Sequence, residues 1–182
     1  LTYKDKENYI LAAERNTKLI PGFDFGNSPY HYMNNNIKGK TLVLTTTNGT
    51  KAIHIADKHK VITASFININ AVKNFLVEEK SDIIILCSGW KNLINIEDSM
   101  FAGCLANLLF DSKKFYSNCD SLLIAQELRK GANTNLYSFL TNSAYRNRNN
   151  SDELIKDTKF CLAPTLKSDI IPLLVNGQLI QG

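Results

Sequence analysis

Between residues 41 and 110 the sequence repeatedly follows a short apolar run with a polar turn and then with helical spacing. The apolar runs are residues 41–46, 61–64 and 82–87, and the helical segments after them are residues 50–57, 70–79 and 97–110. Strands that alternate with helices in this way form βαβ crossovers, which make neighbouring strands parallel. The pattern predicts an α/β fold with a mainly parallel or mixed sheet flanked by helices, of the three-layer αβα type.

The rest of the chain is predicted to cover this sheet. Residues 121–130 have amphipathic helical spacing, and shorter helical pieces lie near residues 136–140 and 151–155. The Asn-Gly pair inside residues 171–180 stands between apolar runs, which predicts a β-hairpin. A chain of 182 residues with 44% hydrophobic content can bury one core, so we expect a single domain over residues 1–182.

The composition argues against several classes of protein. The formal net charge is +4, and Lys and Arg are scattered rather than clustered beside aromatic residues, so nucleic acid is not an expected partner. No apolar run approaches the length of a membrane span, and the four cysteines form no C-x-x-C pair, which fits a reducing cytoplasm. The asparagines of residues 147–150, broken only by Arg148, indicate a compositional bias in loops. A homo-oligomer is compatible with the sequence, which does not set the oligomeric state.

The loop after the first apolar run combines hydroxyl groups, a turn glycine and the start of a helix. Its residues are Thr46, Thr47, Asn48, Gly49, Thr50 and Lys51. Unsatisfied backbone N–H groups at a helix start bind phosphate or sulfonate well. The same residue types are also common helix caps and turn formers, so a purely structural role stays open. The loop is not a nucleotide P-loop, because it lacks the G-x-x-x-x-G-K-[ST] pattern.

Two other polar clusters carry carboxylates. Asp24 lies within the Gly- and Pro-rich residues 21–29, and Glu97 and Asp98 stand at the start of a predicted helix. Carboxylates at such positions often serve only turn geometry or the helix dipole. Hard oxygen ligands beside a phosphate site are nevertheless what Mg²⁺ requires.

The usual signs of covalent phosphate chemistry are missing from the sequence. It contains no Cys-x5-Arg loop, no D-x-D-x-[TV] motif and no G-x-S-x-G elbow. His54 and His59 show no metal-ligand spacing, the role of His31 is open, and Cys87 is predicted to be a buried strand residue. Covalent routes therefore lack their usual signs, although the sequence does not decide between direct attack by water and an enzyme-bound intermediate.

Several short segments occur in one order along the chain and match those of a known family. They are Glu14-Arg15, residues 22–29, residues 45–50, residues 65–68 followed by Ala71, and Ser88-Gly89 leading to Glu97-Asp98 and Ala102-Gly103. In these segments the chain closely resembles the 2-phosphosulfolactate phosphatase family. A weaker match continues through Asp157, Phe160-Cys161 and Pro172 and extends the resemblance over nearly the whole chain.

The resemblance implies a phosphoric monoester hydrolase that uses Mg²⁺ to release phosphate from 2-phospho-3-sulfolactate or a related small anionic hydroxy acid. It also implies a cytoplasmic enzyme that serves coenzyme M biosynthesis where that pathway exists. The family pattern starts with a section that carries an Asp-Val-x-Arg-Ala motif, and nothing like it precedes Leu1. We therefore expect this chain to lack an N-terminal family segment. It also has Ala13 and Ala64 at family glycines and Tyr30-His31 in place of an acidic residue.

Together, the carboxylates, the anion loop and the resemblance lead to a hypothetical site. Asp24, Asp98 and Glu14 are the predicted metal ligands, and the predicted catalytic residues are Asp24, Asp98, Glu97 and Arg15. The predicted substrate-binding residues are Asn27, Ser28, Thr46, Thr47, Asn48, Gly49, Thr50, Lys51 and Asn68. Arg15 or Lys51 would neutralise developing charge or bind the sulfonate and carboxylate.

Two rival functions stay open at this point. One is a non-catalytic anion-binding homologue that has lost its chemistry. The other is a different reaction on the same scaffold, such as that of a phosphohydroxy-acid mutase or lyase, because similar sheets host many chemistries.

Overall fold

The computed structural model describes residues 7–15, 18–132, 135–148, 150–163 and 165–182. The strands in this part of the chain are β1 (Tyr9–Arg15), β2 (Lys18–Leu19), β3 (Thr41–Thr45), β4 (Pro172–Val175) and β5 (Gln178–Gln181). The α-helices are α1 (Gly49–Ala56), α2 (Ile69–Glu79), α3 (Ile96–Asp111), α4 (Asp120–Gly131), α5 (Leu136–Phe139), α6 (Ala144–Arg148) and α7 (Asp152–Cys161). Short 3-10 helices cover Pro29–Tyr32, Asn35–Ile37 and Leu140–Asn142. This mixture of strands and helices confirms the predicted α/β class.

The central strand of the main sheet is β1, which the sequence pattern did not predict. It pairs in parallel with β3, from Tyr9 opposite Thr41 to Ala13 opposite Thr45, and antiparallel with the short β2. Its residues 10–13 are all buried, so it has no alternation of apolar and polar positions. Without that period-2 signal the strand is hard to recognise in the sequence.

The helices follow the sequence prediction closely. The structure begins and ends α1, α2, α3 and α4 within one residue of the predicted limits. In contrast, α7 continues to Cys161, well beyond the predicted end at residue 155. The Ser151 hydroxyl accepts a hydrogen bond from the backbone N–H of Leu154 and so fixes the start of α7.

Two of the three strands predicted in the repeated units form no ladder with the described residues, so these two predictions are wrong for that part of the chain. Residues 61–64 take part there only in an isolated bridge of Ile62 with Leu173 in β4. Residues 82–87 belong to no strand and make no backbone hydrogen bond with the described part of the chain. The prediction assumed that this run is buried on both faces, whereas Ile84 is 86% exposed.

One hydrophobic cluster of the core packs against residues 82–87 on the side opposite to the exposed Ile84. Ile83 and Ile85 pack against a cluster formed by Val72 of α2 and by Leu105 and Leu109 of α3. Further along, α3 and α4 pack with their backbones nearly in contact: a Cβ added to Gly103 would lie 2.1 Å from the carbonyl oxygen of Ala125. This close approach requires glycine and fixes α3 in place.

The hairpin predicted near the end of the chain is confirmed. Strands β4 and β5 pair antiparallel from Pro172 opposite Gln181 to Val175 opposite Gln178. Asn176 and Gly177 between them both have positive φ, of 50° and 77°, as a tight hairpin turn requires. None of the helices in the described residues has the length and apolar character needed to cross a membrane.

Candidate active site

A cavity of about 460 Å³ opens where β1 and β3 end, as expected for a ligand site at the carboxyl ends of parallel strands. We call one side the N-terminal wall, and its residues are Glu14, Gly26, Asn27, Ser28, Thr46, Thr47, Asn48, Gly49, Ser88, Gly89, Trp90, Asn95 and Glu97. We call the other side the C-terminal wall, and its residues are Tyr145, Arg148, Ser151, Glu153, Leu154, Asp157 and Cys161. Leu19, Pro29 and His31 complete the lining.

The predicted anion loop lies in the N-terminal wall and is held by its own hydrogen bonds. The Thr46 hydroxyl oxygen accepts from the Thr50 backbone N–H at 3.1 Å, and the Thr50 hydroxyl donates to the Thr46 carbonyl at 2.8 Å. The Asn48 side-chain oxygen accepts from the Lys91 backbone N–H at 3.1 Å. These bonds fix the loop, so Thr47 and Gly49 face the cavity from a rigid turn at the start of α1.

Polar side chains of β1 and the following turn continue this wall. The Asn27 amide donates to the Glu14 carboxylate at 2.8 Å. The Ser28 hydroxyl donates to the Asp157 carboxylate at 2.8 Å, and both side chains are buried. The second bond joins the N-terminal wall to α7 in the C-terminal wall.

Glu97 and Asp98 begin α3 side by side but have different surroundings. Burial raises the pKa of the Glu97 carboxyl; its own backbone N–H lowers it, the Asp98 charge raises it and Arg148 lowers it. The Glu97 Oε2 atom is buried and makes no hydrogen bond with the described residues. The Asp98 carboxylate instead accepts from the Gly89 backbone N–H at 2.7 Å and the Ser88 hydroxyl at 3.4 Å. Glu97 therefore lines the cavity, whereas Asp98 holds the neighbouring turn.

The structure thus gathers part of the predicted site in one place. Among the predicted residues, the cavity is lined by Glu14, Asn27, Ser28, Thr46, Thr47, Asn48, Gly49 and Glu97. Asp24 lies instead at a second hollow with Tyr9 and Lys40, where its carboxylate accepts from the Leu11 backbone N–H at 2.9 Å.

Further predicted residues also lie outside the lining of the cavity. Asn68 is buried and ties two segments together, because it accepts from the Ser65 backbone N–H and donates to the Ile170 carbonyl. Lys51 donates to the Asn92 side chain at 2.8 Å, and Arg15 donates to the Glu14 carbonyl at 2.8 Å. Thr50 is engaged inside the anion loop, as described above. Their functional roles stay predictions.

The C-terminal wall contains residues that the sequence patterns did not indicate as functional. Arg148 was interpreted as an interruption of an asparagine-rich loop, whereas the structure places it in α6 beside the cavity. Asn149, from the same run, lies outside the described residues. Arg146 lies two positions earlier in the same polar run, so no local sequence signal distinguishes Arg148.

A cysteine nucleophile finds no support in the electrostatics of this wall. Cys161 lines the cavity, and both partial burial and the Asp157 charge raise the pKa of its thiol. At neutral pH such a cysteine stays protonated, and the thiol is a much weaker nucleophile than the thiolate.

The acidic side chains of the cavity fit a divalent cation that has only one or two protein ligands. Within the described residues no group of three His, Cys, Asp or Glu side chains could hold a metal ion. Mg²⁺ is commonly bound by only one or two carboxylates, with waters and substrate oxygens as its other ligands. Glu14 and Glu97 both line the cavity, and the buried Glu97 oxygen has a free coordination position. The donor set therefore fits Mg²⁺ with few protein ligands.

Comparison with known proteins gives a consistent result along the whole chain. The family model described as 2-phosphosulpholactate phosphatase matches residues 1–177. A probable 2-phosphosulfolactate phosphatase of Thermotoga petrophila is 35% identical over 177 residues, which are 97% of this chain and 75% of the relative. Its counterpart of Caldanaerobacter subterraneus is 34% identical over 95% of this chain and 71% of the relative. The chain belongs to the 2-phosphosulpholactate phosphatase family, a family of phosphoric monoester hydrolases, as its sequence motifs predicted.

Proposed function

We propose that this chain is a Mg²⁺-dependent phosphatase that hydrolyses 2-phosphosulfolactate, or a related phosphorylated small hydroxy acid, to the hydroxy acid and phosphate. Family membership supports the phosphatase chemistry. The structural observation that carries the proposal is that one cavity unites the rigid anion loop with the carboxylates of Glu14 and Glu97.

In this proposal the anion loop binds the phosphoryl group. Gly49 is the first residue of α1, so its N–H belongs to the helix start, where the macrodipole favours negative charge. The Thr47 hydroxyl lies beside it in the lining. Because internal hydrogen bonds already fix the loop, its donors need little reorganisation when charge develops on the phosphoryl oxygens.

Glu97 and Glu14, which both line the cavity, would hold the metal ion. When bound, Mg²⁺ neutralises phosphate charge and lowers the pKa of an attacking water. The Asn27 amide, which donates to Glu14 at 2.8 Å, orients that carboxylate, and Asp98 fixes the Ser88-Gly89 turn next to Glu97. The protein thus contributes positioned oxygens and a fixed turn rather than a nucleophile.

A phosphate-release panel tests the proposal. 2-Phosphosulfolactate, phospholactate and glycerol 2-phosphate are incubated with the protein, with and without Mg²⁺, and the released phosphate and organic product are measured. We expect release from 2-phosphosulfolactate that disappears with a chelator and returns with Mg²⁺. Binding without release would instead identify a non-catalytic anion-binding homologue, and a rearranged phosphorylated product would identify a mutase.

Metal binding has a readout that does not depend on turnover. Mn²⁺, which prefers similar oxygen ligands, is titrated into the protein and followed by electron paramagnetic resonance. We expect the glutamine variant of Glu97 to bind Mn²⁺ more weakly than the unchanged chain. Equal Mn²⁺ affinity would remove Glu97 from the proposed metal site.

A further inference from the structure

Arg148 places a guanidinium group in a cavity whose other charged lining residues are mainly acidic. Of the lysines and arginines in the described residues, Arg148 is the one that lines the cavity. His31 also lines it, but its Nδ1 accepts from the Gly26 backbone N–H at 3.3 Å and its Nε2 lies 3.8 Å from Glu153. The Arg148 charge also lowers the pKa of the Glu97 carboxyl, but neither Arg148 Nε nor Glu97 Oε2 has a hydrogen-bond partner among the described residues, so the guanidinium keeps a donor for an anionic ligand there.

An aromatic ring holds this guanidinium in position. The Arg148 guanidinium carbon lies 4.3 Å from the centre of the Trp90 ring, which is cation–π geometry. Trp90 stands at the start of a tight turn in which Lys91 and Asn92 both have positive φ, and Trp90 and Leu93 exchange backbone hydrogen bonds at 3.0 and 2.9 Å. The turn is a rigid base for the indole ring.

The same turn connects Arg148 to the anion loop. The Lys91 backbone N–H donates to the Asn48 side chain, so the residue next to Trp90 is bonded to the loop that would bind phosphate. The stacked guanidinium thus lines the same cavity as the loop.

Arg148 has binding capacity that the protein does not use. Its Nε atom is buried and makes no hydrogen bond with the described residues. A guanidinium carries five N–H donors and pairs with planar or trigonal anions in a two-pronged manner. Leaving a buried donor of a charged group without a partner is costly. The Nη1 atom of Arg146 is buried without a hydrogen bond in the same way, but Arg146 does not line the cavity, so of the two it is the Arg148 donor that a ligand of the cavity can complete.

We propose that Arg148, stacked on Trp90, is the specificity-determining residue that binds a second anionic group of the substrate, its sulfonate or carboxylate, while the anion loop binds the phosphate. The proposal rests on the proposed function, because it assigns the non-reacting end of the same substrate. It makes the enzyme selective for phosphate monoesters that carry another strong anion.

Sulfolactate, the product that lacks the phosphate, tests this assignment independently of turnover. Calorimetric titration of sulfolactate into the protein should show binding that R148Q weakens by about tenfold or more, as expected for a lost charge-assisted contact. R148K keeps a charge without the planar fork and should be intermediate. It also preserves the test if R148Q does not fold.

R146Q is the matched control, because Arg146 lies in the same short helix and stacks on Tyr137 at 3.9 Å but does not line the cavity. It should leave sulfolactate affinity unchanged. Equal affinity in the unchanged chain, R148Q and R148K would overturn the proposal, and so would an equal loss in R146Q and R148Q.

Kinetics separate failure of this inference from failure of the proposed function. R148Q should lower kcat/KM for 2-phosphosulfolactate strongly and leave that for glycerol 2-phosphate, which has no second anion, nearly unchanged. An equal loss on both esters would place Arg148 at the phosphate and overturn the proposal. Absence of phosphate release from every ester by the unchanged chain would refute the proposed function, while the sulfolactate titration still decides the role of Arg148.

Discussion

The two walls of the cavity differ in both chemistry and construction. The N-terminal wall offers hydroxyls, backbone N–H groups and the carboxylates of Glu14 and Glu97, and its elements rest on the sheet and the α2–α3 core. The C-terminal wall contributes the Arg148 guanidinium, which lies on the five-residue helix α6. The buried Ser28–Asp157 hydrogen bond connects this wall to the N-terminal wall. The proposed function thus assigns metal and phosphate chemistry to the better supported wall.

The difference suggests a division of work between the walls. Reacting groups have to be held within narrow limits, because a small misplacement costs much of the rate. A group that recognises the far end of a substrate can be held less rigidly. Its mobility lowers substrate affinity before it lowers the rate of the chemical step. Variants in each wall should therefore differ in whether they affect rate, stability or affinity first.

The largest effect is expected in the N-terminal wall. Glu97→Gln should lower Mg²⁺-dependent phosphate release by roughly 10²–10³-fold, since it removes a charged contact to the reacting region. Phosphate release and thermal unfolding measured on the same samples check this. Glu127→Gln, in an exposed position paired with Lys130, is the control and should keep full activity. Activity of Glu97→Gln within twofold of the unchanged chain would contradict the placement of chemistry in this wall.

The support of that wall is tested by Gly103→Ala. An added methyl group would lie 2.1 Å from the Ala125 carbonyl oxygen, so α3 and α4 must separate. We expect a loss of unfolding free energy of about 1–3 kcal/mol or more, measured by urea denaturation. Gly131→Ala is the matched control, because the nearest atom to its added Cβ is a flexible Phe139 ring carbon at 3.6 Å. Equal stability of the two variants would show that the helix packing is looser than described.

Ser28→Ala breaks the buried hydrogen bond between the walls, which the Arg148–Trp90 contact also joins, and should have the smallest effect of the three. It leaves the buried Asp157 carboxylate without this donor, which costs about 1–3 kcal/mol. For a chain of this size the Tm should fall by roughly 2–12 °C. Amide hydrogen exchange should become faster in α7 while α3 stays protected.

An exposed serine provides the control for that experiment. Ser81→Ala removes a hydroxyl that bonds only the nearby Glu79 carbonyl at the surface, and its Tm should not change. If exchange in α3 and α7 increased equally in Ser28→Ala, the walls would not be separately supported.

How much the sequence could predict depends on the range over which the signals act. Helices α1 to α4 were predictable because apolar spacing acts within a few positions, and the Asn176-Gly177 turn is equally local. The sequence could not predict whether residues 82–87 pair with another strand. The same apolar run can form a ladder in a sheet or, as here, pack one face against the core and expose the other. Strand pairing depends on distant parts of the chain.

The same distinction applies to the site. The anion loop and Glu97 could be predicted from the sequence because each lies at a helix start, where the residue types indicate the local structure. Asp24 and Asp98 have equally suggestive neighbours in sequence, yet their carboxylates accept backbone hydrogen bonds and do not line the cavity. Arg148 could be assigned to the cavity only through its contact with Trp90, which lies far away in the sequence.

The hydrogen bond between Ser28 and Asp157 spans 129 positions of the chain. A ribosome must therefore synthesise the chain as far as Asp157 before this bond can form, even though α1 to α3 can already form on the emerging chain. Loss of α7 by proteolysis would leave the N-terminal wall without this buried partner. A ligand that contacts both walls would thus bind only after α7 has been made and has packed against residues synthesised much earlier.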